Sequence, residues 1–172
     1  REGKKVGFIG LATPETAYKT KPDNVAHLEF KDPVEATKTW VDYLENEENV
    51  DAVVVLSHLG SEQNRETGEI TGEIVEVAEV PGVDAIISAH SHQKVEGKVN
   101  GVPVIQAYKN GRNLGYVNLK FDYNDELVVT TKLDDISKRK DTLPVDKNME
   151  DILAKFEADL APIMNEKVAD LS

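Results

Sequence analysis

Two stretches of sequence decide the fold: DAVVVLSHLG at residues 51–60 and VDAIISAHSHQ at residues 83–93. In both, a continuous apolar run rich in valine and isoleucine ends in histidine. Continuous apolar runs of this length are typical of strands that are buried on both faces of a parallel sheet. A similar run, KKVGFIGL at residues 4–11, predicts a further strand ahead of them. The chain is therefore expected to build its core on parallel strands.

Helices are predicted between these strands. Asp32, Pro33 and Glu35 supply an N-cap, a proline at the first helical position and a carboxylate in the first turn. The helix behind this cap carries an apolar stripe that is expected to face the core, formed by Val34, Thr37, Trp40, Val41 and Leu44. A loop is predicted over residues 60–71 and a shorter helix over residues 72–80. This alternation of strands and helices predicts a right-handed parallel α/β unit.

The pattern changes after residue 93. Further strands are predicted at residues 94–99, 102–108, 114–123 and 126–133. Asn100-Gly101 joins the first two of them and is a strong signal for a hairpin turn. We therefore expect an antiparallel meander, followed by an amphipathic helix over residues 151–168 with a kink at Pro162.

Composition excludes several classes of function. The 172 residues include 20 Lys and Arg against 32 Asp and Glu, a net charge of -12 that disfavours binding to nucleic acid polymers and to anionic lipid. The absence of cysteine excludes disulfides, thiolate nucleophiles and cysteine-ligated zinc. The sequence contains no apolar run of membrane-spanning length and no P-loop, dinucleotide-binding or nucleophile-elbow motif. Because the chain begins at Arg1 and not at methionine, we expect it to be a segment of a longer protein.

Three of the four histidines occupy related positions. His58 directly follows the second predicted strand, and His90 and His92 directly follow the third. Ligands bind at the carboxyl ends of parallel strands, which lie about 4.8 Å apart, and imidazole is a common metal ligand. We therefore expect the three side chains to lie close together at a shared metal site. The spacing alone leaves open that each histidine only closes its strand.

Other polar residues are expected to be structural or solvated. His27 lies in an irregular stretch and is predicted to be a surface or structural residue. An acidic run is predicted to form a solvated loop and helix face, and consists of Glu62, Glu66, Glu69, Glu73, Glu76 and Glu79.

Four segments carry a resemblance to a known family. They are VGFIGLATPET at residues 6–16, VVVLSHLG at 53–60, IISAHSHQ at 86–93 and NGVPVIQAYKNGRNLGYVNLKF at 100–121. In this order they resemble the second half of the catalytic domain of the 5′-nucleotidase family of calcineurin-like metallophosphoesterases. The resemblance covers about residues 4–134.

The resemblance implies an α/β fold, namely part of a four-layer αββα sandwich. Residues 1–140 would be the C-terminal half of the catalytic domain, and residues 141–172 a linker helix toward a substrate domain that follows. It also implies a secreted or cell-envelope enzyme of nucleotide catabolism. A sheet that lacks its other half would expose an edge and an apolar face, so self-association is expected.

The resemblance further implies a hydrolase with two divalent metal ions. His58 and His90 match ligands of one ion, and His92 matches a ligand of the other. Ala89 stands where the family usually has glycine. The family's upstream blocks D-x-H, G-D and G-N-H-E are absent, so no catalytic or substrate-binding residue is assigned and the segment alone is expected to be inactive.

Three points stay open at this stage. Zinc, manganese, iron and cobalt are all compatible with histidine ligands. A 2′,3′-cyclic-nucleotide 2′-phosphodiesterase/3′-nucleotidase of the same superfamily would share the metals and differ in substrate. A non-catalytic α/β interaction module is the alternative outside enzymology.

Overall fold

The structure, a computed structural model, describes residues 3–139 and 141–169. These residues fall into two compact units, of which one ends at Ser137 and the other begins at Lys138. The strands of the described residues, all in the first unit, are β1 (Val6–Ala12), β2 (Ala52–Gly60), β3 (Glu62–Gln63), β4 (Ile70–Thr71), β5 (Ala85–Ala89), β6 (Lys94–Val99), β7 (Val102–Ala107), β8 (Leu114–Phe121) and β9 (Leu127–Asp134). The helices are α1 (Thr16–Lys19), α2 (Pro22–Val25), α3 (Pro33–Asn46), α4 (Ile74–Ala78) and α5 (Lys147–Met164).

Five strands form the main sheet, in the order β1-β2-β5-β7-β6. The first four of these are parallel to their neighbours, and β6 is antiparallel to β7. The predicted parallel unit is therefore confirmed. The carboxyl ends of β1, β2, β5 and β7 meet at one edge of the sheet, which we call the carboxyl edge, and their beginnings meet at the amino edge.

Helix α3 begins where the sequence predicts. The Asp32 carboxylate accepts hydrogen bonds from the backbone N–H groups of Val34 and Glu35, each at 2.9 Å. Val41 is buried, but Trp40 is 52% exposed, so its expected place in the core is wrong. Its ring packs edge-on against Tyr43, beside strand β1, which is the outermost strand of the sheet on that side. An apolar residue there has no further strand of the described chain to pack against.

The core lies on one face of the sheet. On β2, Val53, Val55 and Leu59 point into it and pack with residues of α4 such as Ile74. Alternate residues point to the other face. That face carries Phe8, Leu56 and Ile87, which are 60%, 43% and 36% exposed, and it also carries His58.

Strands β6 to β9 pair in part differently from the prediction. Asn100 and Gly101 have φ values of 51° and 87°, as a two-residue hairpin of this type requires, so the β6–β7 hairpin is confirmed. The predicted antiparallel meander is observed as two antiparallel pairs, β6–β7 and β8–β9, which are not joined, because β7 pairs with β5 and β8 and β9 form a separate two-stranded sheet. Strand β7 is buried along Pro103–Gln106 and can occupy the sheet interior, whereas β8 alternates between exposed and half-buried residues.

Smaller differences concern a loop and two helices. The predicted loop over residues 60–71 contains the short β3–β4 hairpin, and α4 is shorter than expected. Helix α5 begins at Lys147, four residues earlier than predicted, because the Asp146 carboxylate accepts a hydrogen bond from the Met149 N–H at 3.1 Å. It ends at Met164, with Pro162 in its last turn. Within the residues described, no helix is both long and apolar enough to cross a membrane.

Candidate metal site

His58 and His90 lie side by side at the carboxyl edge. Their ring centroids are 5.1 Å apart and the ring planes are inclined by 66°. His90 directly follows β5, as predicted, but His58 lies within β2, which continues to Gly60. The pairing of β2 with β5 shifts register between Leu56 and Gly60, an irregularity of the kind that re-aims side chains at functional edges. The expected convergence of these two imidazoles is therefore observed, although the strand end was misplaced.

His92 is not brought to this pair. It is exposed, and it does not line the pocket of about 170 Å³ that His58 and His90 share with Thr13, Thr16, Lys19 and Thr20. Across the described ranges, no three His, Cys, Asp or Glu side chains converge as a metal ion would require. The described residues thus offer two imidazoles of a ligand set, which suits a metal ion in chemical type but does not complete its shell.

Glu15 orients His90, and the sequence analysis missed it. One Glu15 carboxylate oxygen lies 2.7 Å from His90 Nε2 and also accepts a hydrogen bond from the Lys19 ammonium at 2.7 Å, while the other accepts from the Tyr18 hydroxyl at 3.0 Å. Lys19 first, then His90 and Tyr18, lower the pKa of Glu15 to about 2. A carboxylate that binds one nitrogen of an imidazole fixes the ring and its tautomer. The available signal was the position of Glu15 just beyond the carboxyl end of β1.

A buried polar network holds the loop that carries His90 and His92. Gln106 on β7 is 1% exposed. Its side-chain nitrogen donates to the Ser61 hydroxyl at 2.7 Å and lies 3.0 Å from the Ser91 hydroxyl, and its side-chain oxygen accepts from the Gln93 N–H at 3.2 Å. The network therefore ties the end of β2 to residues on both sides of His92. Its sequence signal was weak, since Gln106 is a single polar residue inside an apolar strand.

Glu73 is exposed, as expected for the acidic run, but its carboxylate also makes structural contacts. Its carboxylate accepts a hydrogen bond from the Gly60 N–H at 2.8 Å and another from the Thr13 hydroxyl at 3.1 Å. Glu73 therefore joins the carboxyl ends of β1 and β2, on either side of the histidine pocket. His27 is exposed, which agrees with its expected place at the surface.

The histidine loop also has an unusual backbone. His90 and His92 have φ values of 68° and 55°, in the left-handed region that few residues other than glycine adopt. Such conformations persist where the surrounding structure enforces them and are frequent at functional sites. Here the Gln106 network supplies that enforcement.

Comparison with known proteins agrees with this geometry. Residues 5–94 match the family described as calcineurin-like phosphoesterase. The chain is 32% identical to endonuclease YhcR of Bacillus subtilis, covering 98% of this chain and 14% of that protein. It is 26% identical to a 5′-nucleotidase of Vibrio cholerae, covering 81% of this chain and 29% of that protein.

A solved structure is similar over most of the chain. It is that of a Staphylococcus aureus protein described as a 5′-nucleotidase, with a TM-score of 0.69, 25% identity and coverage of 91% of this chain and 32% of that chain. The likeness confirms the predicted fold class. The chain spans between 14% and 32% of the lengths of these three proteins. With its own parallel sheet, its histidine pair and a match over residues 5–94, the chain belongs to the calcineurin-like phosphoesterase family.

Proposed function

We propose that this chain is a segment of a nucleotide phosphoesterase of the 5′-nucleotidase type that works with two divalent metal ions. The observation that carries the proposal is the His58–His90 pair at the carboxyl edge of the parallel sheet, with ring centroids 5.1 Å apart. Calcineurin-like phosphoesterases are dinuclear metal enzymes. The nucleotide substrate is supported by the 5′-nucleotidase of Vibrio cholerae among the relatives.

In this proposal, His58 and His90 hold one ion and His92 helps to hold the other. Bound ions supply positive charge to the phosphoryl oxygens and a hydroxide nucleophile near neutral pH. When His90 Nε2 donates its proton to Glu15, the lone pair on Nδ1 is available to an ion. Glu73 and Gln106 act indirectly. Glu73 holds the backbone at the end of β2, and Gln106 holds the loop that follows β5.

The segment alone is proposed to be inactive. No third ligand converges on the two imidazoles within the described residues, and the Glu15 carboxylate beside His90 is already paired with Lys19. The repulsion between neighbouring dications is therefore not offset, so at most one ion would bind, weakly. Self-association through the β1 edge and the face with Phe8, Leu56 and Ile87 is part of the same proposal. An extracellular or cell-envelope location is proposed from the family resemblance.

A second candidate is phosphodiester hydrolysis. It is favoured by the name of the Bacillus subtilis relative, an endonuclease. The match covers only 14% of that protein, and a net charge of -12 repels a polyanionic substrate. AMP, 2′,3′-cyclic AMP and a DNA oligonucleotide, assayed in parallel with the full-length protein, distinguish the two candidates.

The experiment replaces single histidines by alanine in the full-length protein. For His58→Ala and His90→Ala we expect kcat for AMP to fall by at least about 100-fold at limiting metal, since each removes a ligand. The melting temperature should change little, because His58 is exposed and His90 only half-buried. The matched control is His27→Ala, which replaces an exposed histidine outside β2 and β5. Its kcat should stay within about twofold of the wild-type value. Near-normal turnover of both His58→Ala and His90→Ala would contradict the proposal.

A further inference from the structure

A second polar pocket lies on the same unit as the histidine pair. It has a volume of about 310 Å³, and its charged lining residues are Arg65, Lys94 and Arg112. It shares no lining residue with the pocket of His58 and His90. We call it the arginine pocket.

The charge of the arginine pocket is opposite to that of the chain. The whole sequence has 32 acidic and 20 basic residues, yet the lining contains three cations and no carboxylate. Lys94 is paired with Asp135 at 2.9 Å. Within the described residues, neither arginine has an ion pair with a carboxylate, and Arg112 lies 6.0 Å from the centre of the Tyr108 ring. Two guanidinium groups are therefore available to an anion in this pocket.

The walls of the pocket are held by the backbone. Tyr108 has a φ of 64°, which is rare for a bulky residue, and its N–H donates to the Gln93 carbonyl oxygen at 3.0 Å. On the opposite wall, the Ser137 N–H donates to the Arg112 carbonyl oxygen at 3.0 Å. The segment of Tyr108 is thus joined to that of Gln93, and the segment of Arg112 to that of Ser137, before any ligand binds.

Asn113 provides an independent observation. It lines the same pocket and is only 8% exposed, and its side-chain oxygen accepts no hydrogen bond from any described residue. Buried acceptors are almost always paired, so a donor from outside the chain is expected. A hydrogen phosphate ion offers both kinds of group, because its oxygens accept from guanidinium and its P–OH can donate to an amide oxygen.

We infer that the arginine pocket binds inorganic phosphate, as the hydrogen phosphate ion that carries both acceptor oxygens and a P–OH donor. The inference does not depend on the proposed hydrolysis, since none of its residues belongs to the histidine pocket. It assigns a role to Arg65, Arg112 and Asn113 that no part of the proposed reaction needs.

The test is calorimetric titration of the full-length protein in chelator, so that bound metal does not compete. Inorganic phosphate, AMP and sulfate are titrated in turn. Binding of phosphate is expected. AMP, whose phosphate group is mostly a dianion without a P–OH at neutral pH, should bind more weakly. Sulfate, which has no O–H at neutral pH, should bind several-fold more weakly. Equal affinities for phosphate and sulfate would contradict the role of Asn113.

The variant R65Q/R112Q should weaken phosphate binding by at least about tenfold, because it removes two charge-assisted donors. The control K120Q/K132Q removes the same charge from exposed residues of β8 and β9 and should change binding by less than about twofold. All four residues are exposed, so both variants should keep the wild-type melting temperature. The inference would be overturned if both double variants lost the same phosphate affinity. It would also be overturned if His58→Ala lost more phosphate affinity than R65Q/R112Q.

Discussion

The amino and carboxyl edges of the main sheet use polar residues in different ways. At the amino edge, single carboxylates that precede a strand accept backbone hydrogen bonds from the neighbouring strand: Asp51 from the Lys5 N–H at 2.8 Å and Asp84 from the Val53 N–H at 2.7 Å. At the carboxyl edge, Gln106 and Glu73 bind several partners each and hold a loop in place. The first arrangement aligns strands, and the second positions side chains.

The backbone shows the same difference. At the amino edge, positive φ values belong to Gly82, Asn100 and Gly101, residue types that tolerate them. At the carboxyl edge they include His90, His92 and Tyr108 besides Gly72, and for a bulky residue such as Tyr108 this conformation costs about 1–3 kcal/mol. The non-glycine residues that tolerate a positive φ least thus lie at the edge where the histidine pair lies.

Among the tests of this difference between the two edges, glycine substitutions are expected to change stability most. Gly72 has a φ of 109°, and a Cβ there would lie 2.6 Å from the Gly60 carbonyl oxygen, next to the carboxyl end of β2. We expect Gly72→Ala to lower the free energy of unfolding by about 3 kcal/mol, from backbone strain plus a clash with backbone.

Gly82→Ala is the matched variant at the amino edge. Its φ is 87°, and its Cβ would meet side-chain atoms of Val41 and Glu45 at 2.5 Å. The Glu45 carboxylate can move away at low cost, whereas the buried Val41 can shift only slightly, so we expect a loss of about 2 kcal/mol, smaller than that of Gly72→Ala. Urea unfolding of both variants measures the difference. A larger loss of stability for Gly82→Ala than for Gly72→Ala would contradict the expected order.

The next effect concerns the buried network. Gln106→Ala leaves the Gln93 N–H without its acceptor and removes one of two donors to the Ser61 carbonyl oxygen, the other being the Ser91 hydroxyl, and we expect a loss of about 2–3 kcal/mol. Gln63→Ala is the control, because the Gln63 side chain also makes hydrogen bonds to backbone, but nearer the surface where water can replace them. A loss below 1 kcal/mol is expected for it. Urea unfolding again gives the result, and equal losses would show that burial at the carboxyl edge adds nothing.

The fold was predictable where one local pattern decides the outcome. The continuous apolar runs predicted β2 and β5, and the Asn100-Gly101 turn predicted the β6–β7 hairpin. The place of β7 beside β5 was not predicted, because strand partners depend on which faces other elements bury. Trp40 was misjudged for the same reason, since helical spacing does not show where a sheet ends.

The candidate site was predictable only in part. His58 and His90 lie together as expected, because each lies near the carboxyl end of one of two neighbouring parallel strands. Glu15 and Gln106 were missed, because each acts through contacts made 75 and 45 residues away in sequence. The acidic run hid Glu73, whose partners lie at the ends of two strands and not on its own helix face.

The smallest effect is expected at the amino edge and depends on pH. The backbone N–H of Lys5, and after it the Lys4 ammonium, lower the pKa of Asp51 below its ordinary value of 3.8. The folded state therefore favours the ionised carboxylate, so the stabilisation is complete above about pH 4 and is lost as the pH falls through 3.8 toward the lower folded value.

Asp51→Asn should lower the melting temperature by about 2 °C or less at pH 7, because the pair is partly solvated and Lys4 keeps its contact with Asp125 at 2.5 Å. The difference from wild type should shrink at pH 3. Asp23→Asn removes an exposed carboxylate paired only with Lys21 at 3.3 Å among the described residues, and it serves as the control for the loss of one negative charge. Thermal melts of the three proteins between pH 7 and pH 3 test this, and a difference for Asp51→Asn that grows as the pH falls would contradict the assigned sign.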